Sequence, residues 1–192
     1  MPSPKILAFA GSLRRDSFNK KLARVAADAA RAAGAEVTLI DLRDLPMPIY
    51  DGDLEAAEGI PPNAKRFKEL LLAHRGLLIS SPEYNSSISS VLKNAIDWAS
   101  RQEKGEAPLA CFEGKIAGLL AASPGALGGL RGLVTVRSIL SNIRVLVLPE
   151  QVAVTKAHEA FGPDGKLLDP KQNASVESLA KKLVAVAAKL SA

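Results

Sequence analysis

The chain has 192 residues, 47% of them hydrophobic, and carries 25 Lys and Arg against 20 Asp and Glu, a formal net charge of +5. That suits a single domain over residues 1–192, and no apolar run approaches the ~20 residues of a membrane-spanning helix without meeting a charge, glycine or proline. One cysteine excludes an internal disulfide framework, and the scattered lysines and arginines with 4% aromatics argue against a nucleic-acid partner. The basic balance fits attraction of anionic small molecules. The first residues, Met-Pro-Ser-Pro-Lys, lack the basic and apolar regions of a secretory signal, and the single cysteine fits a reducing compartment; a cytoplasmic location is expected.

Ile6-Leu-Ala-Phe-Ala10 is a short apolar run closed by Gly11 and reads as a buried strand. Phe18, Leu22, Val25, Ala26 and Ala29 then recur at helical spacing, with Gly34 as a C-cap. Glu36–Ile40 is a second strand, so the chain starts as a βαβ unit with parallel strands. Residues 42–62 are a connection rich in Pro and Gly; its Asp44, Asp51, Asp53 and Glu55 match no calcium loop and read as solvated. A helix after Asn63 runs to about Ala73, with His74 as a donor near its last carbonyls.

Gly76–Ile79 is a third strand, apolar at successive positions as a strand buried on both faces is. Ile88, Val91, Leu92, Ala95, Ile96 and Ala99 share one helix face; Lys93 and Asp97 are an i,i+4 pair, and Trp98 is a core or subunit-contact residue. Cys111, in the loop 101–114, has no histidine near it in sequence and reads as an apolar filler. Lys115–Ala121 is a fourth strand and Arg144–Leu148 a fifth, which continues as an extended run to Val154 after a helix carrying Val136 and Leu140. A surface excursion over 157–172 turns at Gly162–Gly165, and a helix with Val176, Leu179, Leu183 and Ala187 ends the chain.

Five strands alternating with helices predict a three-layer α/β/α sandwich with a parallel sheet in the flavodoxin-like order 2-1-3-4-5. The loops after strands one, three and four are the unusual ones, and this order gathers them at the carboxyl ends of adjacent strands, around one crevice. Gly11-Ser-Leu-Arg-Arg-Asp-Ser-Phe-Asn19 joins a strand to a helix start, where free N–H groups and the helix dipole favour an anion. Ser80-Ser-Pro-Glu-Tyr-Asn-Ser-Ser87 supplies a rigid proline, an acid, an aromatic and an amide suited to a planar ring. The loop 122–129 offers Ser123 and close backbone approach through its glycines. A phosphate cup beside a flat-ring site suggests a mononucleotide such as FMN; the first turn lacks the G-x-G-x-x-G of a dinucleotide fold.

Three segments, Gly11–Asn19, Ser81-Pro-Glu-Tyr-Asn85 and Leu92-Lys-Asn-Ala-Ile-Asp-Trp98, resemble the NAD(P)H-dependent FMN reductases, a flavodoxin-like group that includes quinone, azo-dye and chromate reductases. The resemblance implies that Ser12, Arg14, Ser17 and Asn19 bind the FMN phosphate. It places Pro82, Glu83, Tyr84 and Asn85 along the isoalloxazine, with Ser123 approaching the ring. It further implies NADPH or NADH as co-substrate, hydride transfer to FMN and on to small-molecule acceptors, no dedicated acid–base residue, and a homodimer or homotetramer. Ser89-Ser90 stands where such proteins often have Pro-Gly, and His74-Arg75 replaces a common Ala-Asp. An FMN-binding electron carrier or redox sensor is the alternative, although carriers of this fold favour an acidic docking surface.

Overall fold

The computed structural model describes residues 3–190. Five parallel strands, β1 Lys5–Ala10, β2 Glu36–Asp41, β3 Gly76–Ser80, β4 Ile116–Ala122 and β5 Leu146–Val154, form one sheet in the order β2-β1-β3-β4-β5. The helices are α1 Phe18–Ala32, α2 Gly52–Glu58, α3 Pro62–Ala73, α4 Ser90–Ala99, α5 Leu130–Asn142 and α6 Pro170–Leu190. Among the described residues no helix is long and apolar enough to cross a membrane.

Alternation along the central strands builds two cores. Leu7 and Phe9 of β1 face Phe67 of α3, Leu92 of α4 and Leu133 of α5, whereas Ile6 and Ala8 face Leu22 of α1 and Leu183 of α6. Phe9 meets Phe67 edge-on, with ring centroids 5.5 Å apart. Covered on both faces, β3 and β4 are buried throughout, which is why their sequences are nearly continuous apolar runs.

The fifth strand is longer than a five-residue run because Leu146–Val154 pairs as one strand across an irregularity. Its register jumps from Ala117–Val147 to Leu119–Gln151. Pro149 is tolerated there because β5 is an edge strand, and Arg137 occupies the disturbed backbone by donating to the carbonyls of Leu148 (2.7 Å) and Pro149 (3.4 Å).

The connection 42–62 is more ordered than its prolines and glycines imply. A 3₁₀ turn at Leu42–Asp44 and the short α2 are set by Asp41 and Asp51, whose carboxylates accept the N–H groups of Arg43 (2.9 Å) and Asp53 (2.8 Å). No residue of α2 is buried, so it lacks the apolar stripe by which a helix is read from sequence. Tertiary contacts hold it: Glu55 accepts from Arg101 (2.9 Å) and from the Tyr50 hydroxyl (2.9 Å). Of the acids in this segment, Asp51 thus serves as a cap and Glu55 as an ion-pair partner, while Asp44 and Asp53 are exposed.

Three buried polar side chains lie at the opposite end of the sheet from the loops of interest. His74 donates through Nδ1 to the Leu70 carbonyl (2.6 Å), leaving Nε2 to accept the Thr38 hydroxyl (2.8 Å). Burial pushes the Cys111 thiol up to about 11, an inert side chain rather than a nucleophile. Lys115 donates to the His74 carbonyl (2.8 Å), and burial lowers its ammonium from 10.5 to about 8. The unfolded chain therefore binds more protons between pH 8 and 10.5, and stability rises with pH in that window. Below it, the folded state bears a cost on the order of 3 kcal/mol for the buried charge. Lys115→Met is expected to raise the urea midpoint at pH 7 and to lose that advantage by pH 10.5.

Candidate functional site

The pairing of the sheet runs straight into its loops. Gly11 donates to the Ser80 carbonyl (3.0 Å), Ser81 to that of Leu120 (2.8 Å) and Ser123 to that of Val154 (3.1 Å), so the loops leaving β1, β3 and β4 start side by side. They enclose one cleft, lined by Ser12, Arg14, Ser17, Phe18, Asn19, Pro82, Glu83, Tyr84 and Ser123. Eight of the nine site residues expected from the sequence meet there. Asn85 is placed elsewhere, at the exposed tip of the second loop.

In the first loop, Gly11 lies so close to α4 that a Cβ would sit 2.8 Å from that of Leu92. The buried Ser12 Oγ accepts the Arg14 N–H (3.3 Å). Ser17 is buried in the N-cap position of α1 with extended backbone, yet its hydroxyl makes no capping bond. Among the described residues, neither that hydroxyl nor the N–H groups of Phe18, Asn19 and Lys20 have a protein partner. Among the described residues the Arg14 side chain has no protein partner either, and it lines the same cleft. The Ser17 hydroxyl, three helix-start N–H groups and a guanidinium are a donor-rich set, the chemistry of a phosphate monoester site.

Asn19 is committed to the protein. Its Nδ2 donates to the Ala122 carbonyl (2.9 Å), while Oδ1 accepts the Ala122 N–H (3.0 Å) and the Ser80 hydroxyl (2.9 Å). Glu83 is similarly occupied. Its carboxylate accepts the backbone N–H groups of Arg131 (3.1 Å) and Gly132 (3.3 Å) and pairs with the Arg131 guanidinium (2.8 Å). It thereby caps α5, whose own N-cap, Gly129, has no side chain to do so.

The second loop ends in a tight turn. Tyr84 and Ser87 exchange backbone hydrogen bonds of 2.9 and 3.0 Å around Asn85 (φ 51°) and Ser86 (φ 64°). Asn is among the residues that tolerate this left-handed backbone. Tyr84, 50% exposed, stands at the cleft margin. Ser89, at the position where Pro-Gly is common in proteins of this kind, caps α4 by accepting the Leu92 N–H (3.2 Å) and donates to the Gly11 carbonyl (2.6 Å). One hydroxyl thus ties the first loop to the start of α4.

The third loop makes close backbone approaches. Ser123 Oγ accepts the Gly125 N–H (3.3 Å), and Gly129 (φ 92°) lies where a Cβ would stand 2.8 Å from that of Ala121. Asn94 and Trp98, one turn apart on α4, hold the connection 46–50. Asn94 accepts the Tyr50 N–H (2.8 Å) and donates to the Pro48 carbonyl (2.9 Å), which also receives the Trp98 indole N–H (2.8 Å). Trp98 is wholly buried, a core residue.

A parallel 2-1-3-4-5 sheet with an anion cup after β1, at the point where strand order reverses, defines a flavodoxin-like domain. Comparison with known proteins narrows the class. The family profile described as NADPH-dependent FMN reductase matches residues 4–159, and the chain belongs to that family. It is 39% identical over 168 residues to an NAD(P)H-dependent FMN reductase of Pseudomonas aeruginosa, covering 87% of this chain and 86% of the relative. It is 33% identical over 167 residues to a quinone reductase of Escherichia coli strain K12, with 86% and 85% covered. Among solved structures it is similar to FerB, the flavoenzyme NAD(P)H:(acceptor) oxidoreductase of Paracoccus denitrificans, with a TM-score of 0.81, 28% identity, and 97% and 98% of the two chains covered. FMN and NAD(P)H are the cofactor and co-substrate of the family, and the donor-rich cup after β1 fits the phosphate of FMN.

Proposed function

We propose that this chain is an NAD(P)H-dependent, FMN-containing oxidoreductase that delivers reducing equivalents to small-molecule acceptors: quinones, free flavins, azo compounds or oxyanions such as chromate. The observation that carries the reading is the first loop, where Ser17 and the α1 N-terminus leave their donors unsatisfied beside Arg14. Ser12, Arg14, Ser17 and the backbone N–H of Asn19 would hold the phosphate. Pro82, Glu83 and Tyr84 of the second loop would border the ring, Asn85 would shape the turn beneath them, and Ser123 would approach from the third loop.

FMN, when bound, supplies the hydride chemistry that links a nicotinamide to an acceptor. The chain's part is placement and charge. Arg14 and the helix start neutralise phosphate, and the Glu83–Arg131 pair anchors the ring-side loop to α5. Tyr84, half exposed, leaves the ring side open to solvent and to successive ligands. No proton transfer from the protein is required, so no residue is assigned as an acid or base. A homodimer or homotetramer is supported by Leu127, in the turn before α5, and by Leu130 and Val134, one helical turn apart at its start, which stand 50%, 40% and 62% exposed. The single cysteine, buried, is consistent with work in a reducing cytoplasm.

Steady-state oxidation of NADPH with an artificial quinone tests the activity. Parallel double-reciprocal lines are the expected result, because donor and acceptor would use one open face in turn; a protein that oxidises neither nicotinamide would point to a carrier or sensor. Arg14→Ala is expected to weaken FMN binding roughly tenfold or more, the loss of a charge-assisted hydrogen bond. Titration of apoprotein, followed by quenching of flavin fluorescence, measures it.

A further inference from the structure

We infer that Asn19 works as a positioning residue that locks the phosphate cup to the ends of β3 and β4, rather than as a side-chain ligand of the phosphate; the inference rests on the FMN-binding reading above. Asn19 is 4% exposed, and three hydrogen bonds of 2.9–3.0 Å engage its carboxamide. It engages both backbone polar groups of Ala122 at once, donating to the carbonyl and accepting from the N–H of the same residue, as a strand partner would. Ala122 immediately precedes Ser123 at the exit of β4.

The third bond extends the lock to β3. Ser80, fully buried, donates its hydroxyl to Asn19 Oδ1, and its carbonyl accepts the Gly11 N–H. A chain of buried hydrogen bonds therefore runs from the first turn of α1, where the first cleft loop ends, to the last residues of β3 and β4, where the other two begin. Oδ1 is saturated with two donors, and one Nδ2 hydrogen is the remaining polar valence of the side chain. A phosphate contact by the carboxamide would have to use that hydrogen alone. The backbone N–H of Asn19, in contrast, has no partner among the described residues at the helix start.

The two roles differ in which ligand they affect. A phosphate ligand matters for FMN and not for riboflavin, which has the same ring system without the phosphate. A lock joining all three loops matters for both, because Pro82 and Ser123 on the ring side lose their placement together with the cup. Ser80 makes the distinction sharper: wholly buried, it can act on a flavin only through what it holds.

The experiment is titration of apoprotein with FMN and with riboflavin for wild type, Asn19→Ala, Ser80→Ala, the double variant and Arg14→Ala, with thermal melts to establish that each is folded at the assay temperature. Asn19→Ala is expected to weaken both flavins by a similar factor, about tenfold, as removal of two or three buried hydrogen bonds does. Ser80→Ala is expected to weaken both by a smaller common factor and to add less in the Asn19→Ala background than alone. Arg14→Ala is expected to weaken FMN selectively. The visible circular dichroism of bound FMN should change in Asn19→Ala, reporting an altered ring environment.

A loss confined to FMN in Asn19→Ala, with Ser80→Ala silent, overturns the inference and leaves the FMN site intact. Wild-type apoprotein that takes up neither flavin overturns the site and the inference together. Should Asn19→Ala fail to fold, Ser80→Ala carries the decision: equal weakening of both flavins supports the lock, and no effect on either rejects it.

Discussion

Gly128→Ala is expected to lower the unfolding free energy by about 3 kcal/mol, the sum of left-handed backbone strain and overpacking. Gly128 has φ 60°, and a Cβ there would stand 2.9 Å from the carbonyl carbons of Ala153 and Val154 and 3.0 Å from the Thr155 nitrogen. All three are backbone atoms at the end of β5, so no side chain can swing away to make room. The strain falls on the loop that carries Ser123, and flavin binding should suffer along with stability. Gly165→Ala is the control: its φ is 78°, but a Cβ would meet nothing within 4 Å. It should cost only the conformational strain, about 1 kcal/mol, and leave flavin binding unchanged. Urea unfolding of both variants measures the difference, and equal losses would refute the crowding argument.

Glu106→Ala is expected to cost about 3–5 kcal/mol by stranding a buried lysine. Lys68 Nζ lies 2.6 Å from the Glu106 carboxylate, and its side chain is 2% exposed against 17% for Glu106. The same ammonium donates to the Arg101 carbonyl at 2.5 Å. Burial opposes ionisation of Glu106, but the hydrogen bond from Lys68 and one from the Glu103 N–H prevail and hold the carboxyl below its ordinary range. A depressed carboxyl stabilises the fold above its unfolded pKa, and that stability is lost as pH falls through the folded value. Wild type should therefore lose stability as pH falls through and below the ordinary carboxylate range, where Glu106→Ala should lose less. Lys68→Met combined with Glu106→Leu, which removes both charges, should recover most of the loss. Unfolding measured across that pH range checks both statements.

How far the sequence discloses this molecule depends on the range of each interaction. The five strands are legible because β1, β3 and β4 are covered on both faces and must be apolar throughout. Strand order follows from the loops, since polar Gly11–Asn19, Ser80–Ser87 and Ala122–Gly129 make sense together only at one edge of the sheet. α2 is not legible, because Asp51 and the pairing of Glu55 with Arg101 create it without an apolar face. Asn94 and Ser80 carry no local signal for their roles, and Ser89 carries one for its cap alone and none for its bond to Gly11, since these partners lie 44, 61 and 78 residues away. Asn19 is legible as a residue of the loop but not as a clamp: its acceptor at Ala122 is 103 residues distant. Glu83 illustrates the same point, because an acid in a loop suggests a ligand contact while its partners sit at the start of α5, 48 and 49 residues on.

The central claim, that the crevice at the ends of β1, β3 and β4 holds an FMN reducible by nicotinamide, is tested most directly by the visible absorption spectrum of the purified protein. The measurement is made as purified, after adding FMN and removing the excess, and again after anaerobic NADPH or NADH. The account predicts oxidised-flavin bands retained with the protein and bleached by a nicotinamide. A colourless protein that fails to retain FMN would contradict the reading of the crevice, and retained bands that neither nicotinamide bleaches would contradict the reductase activity.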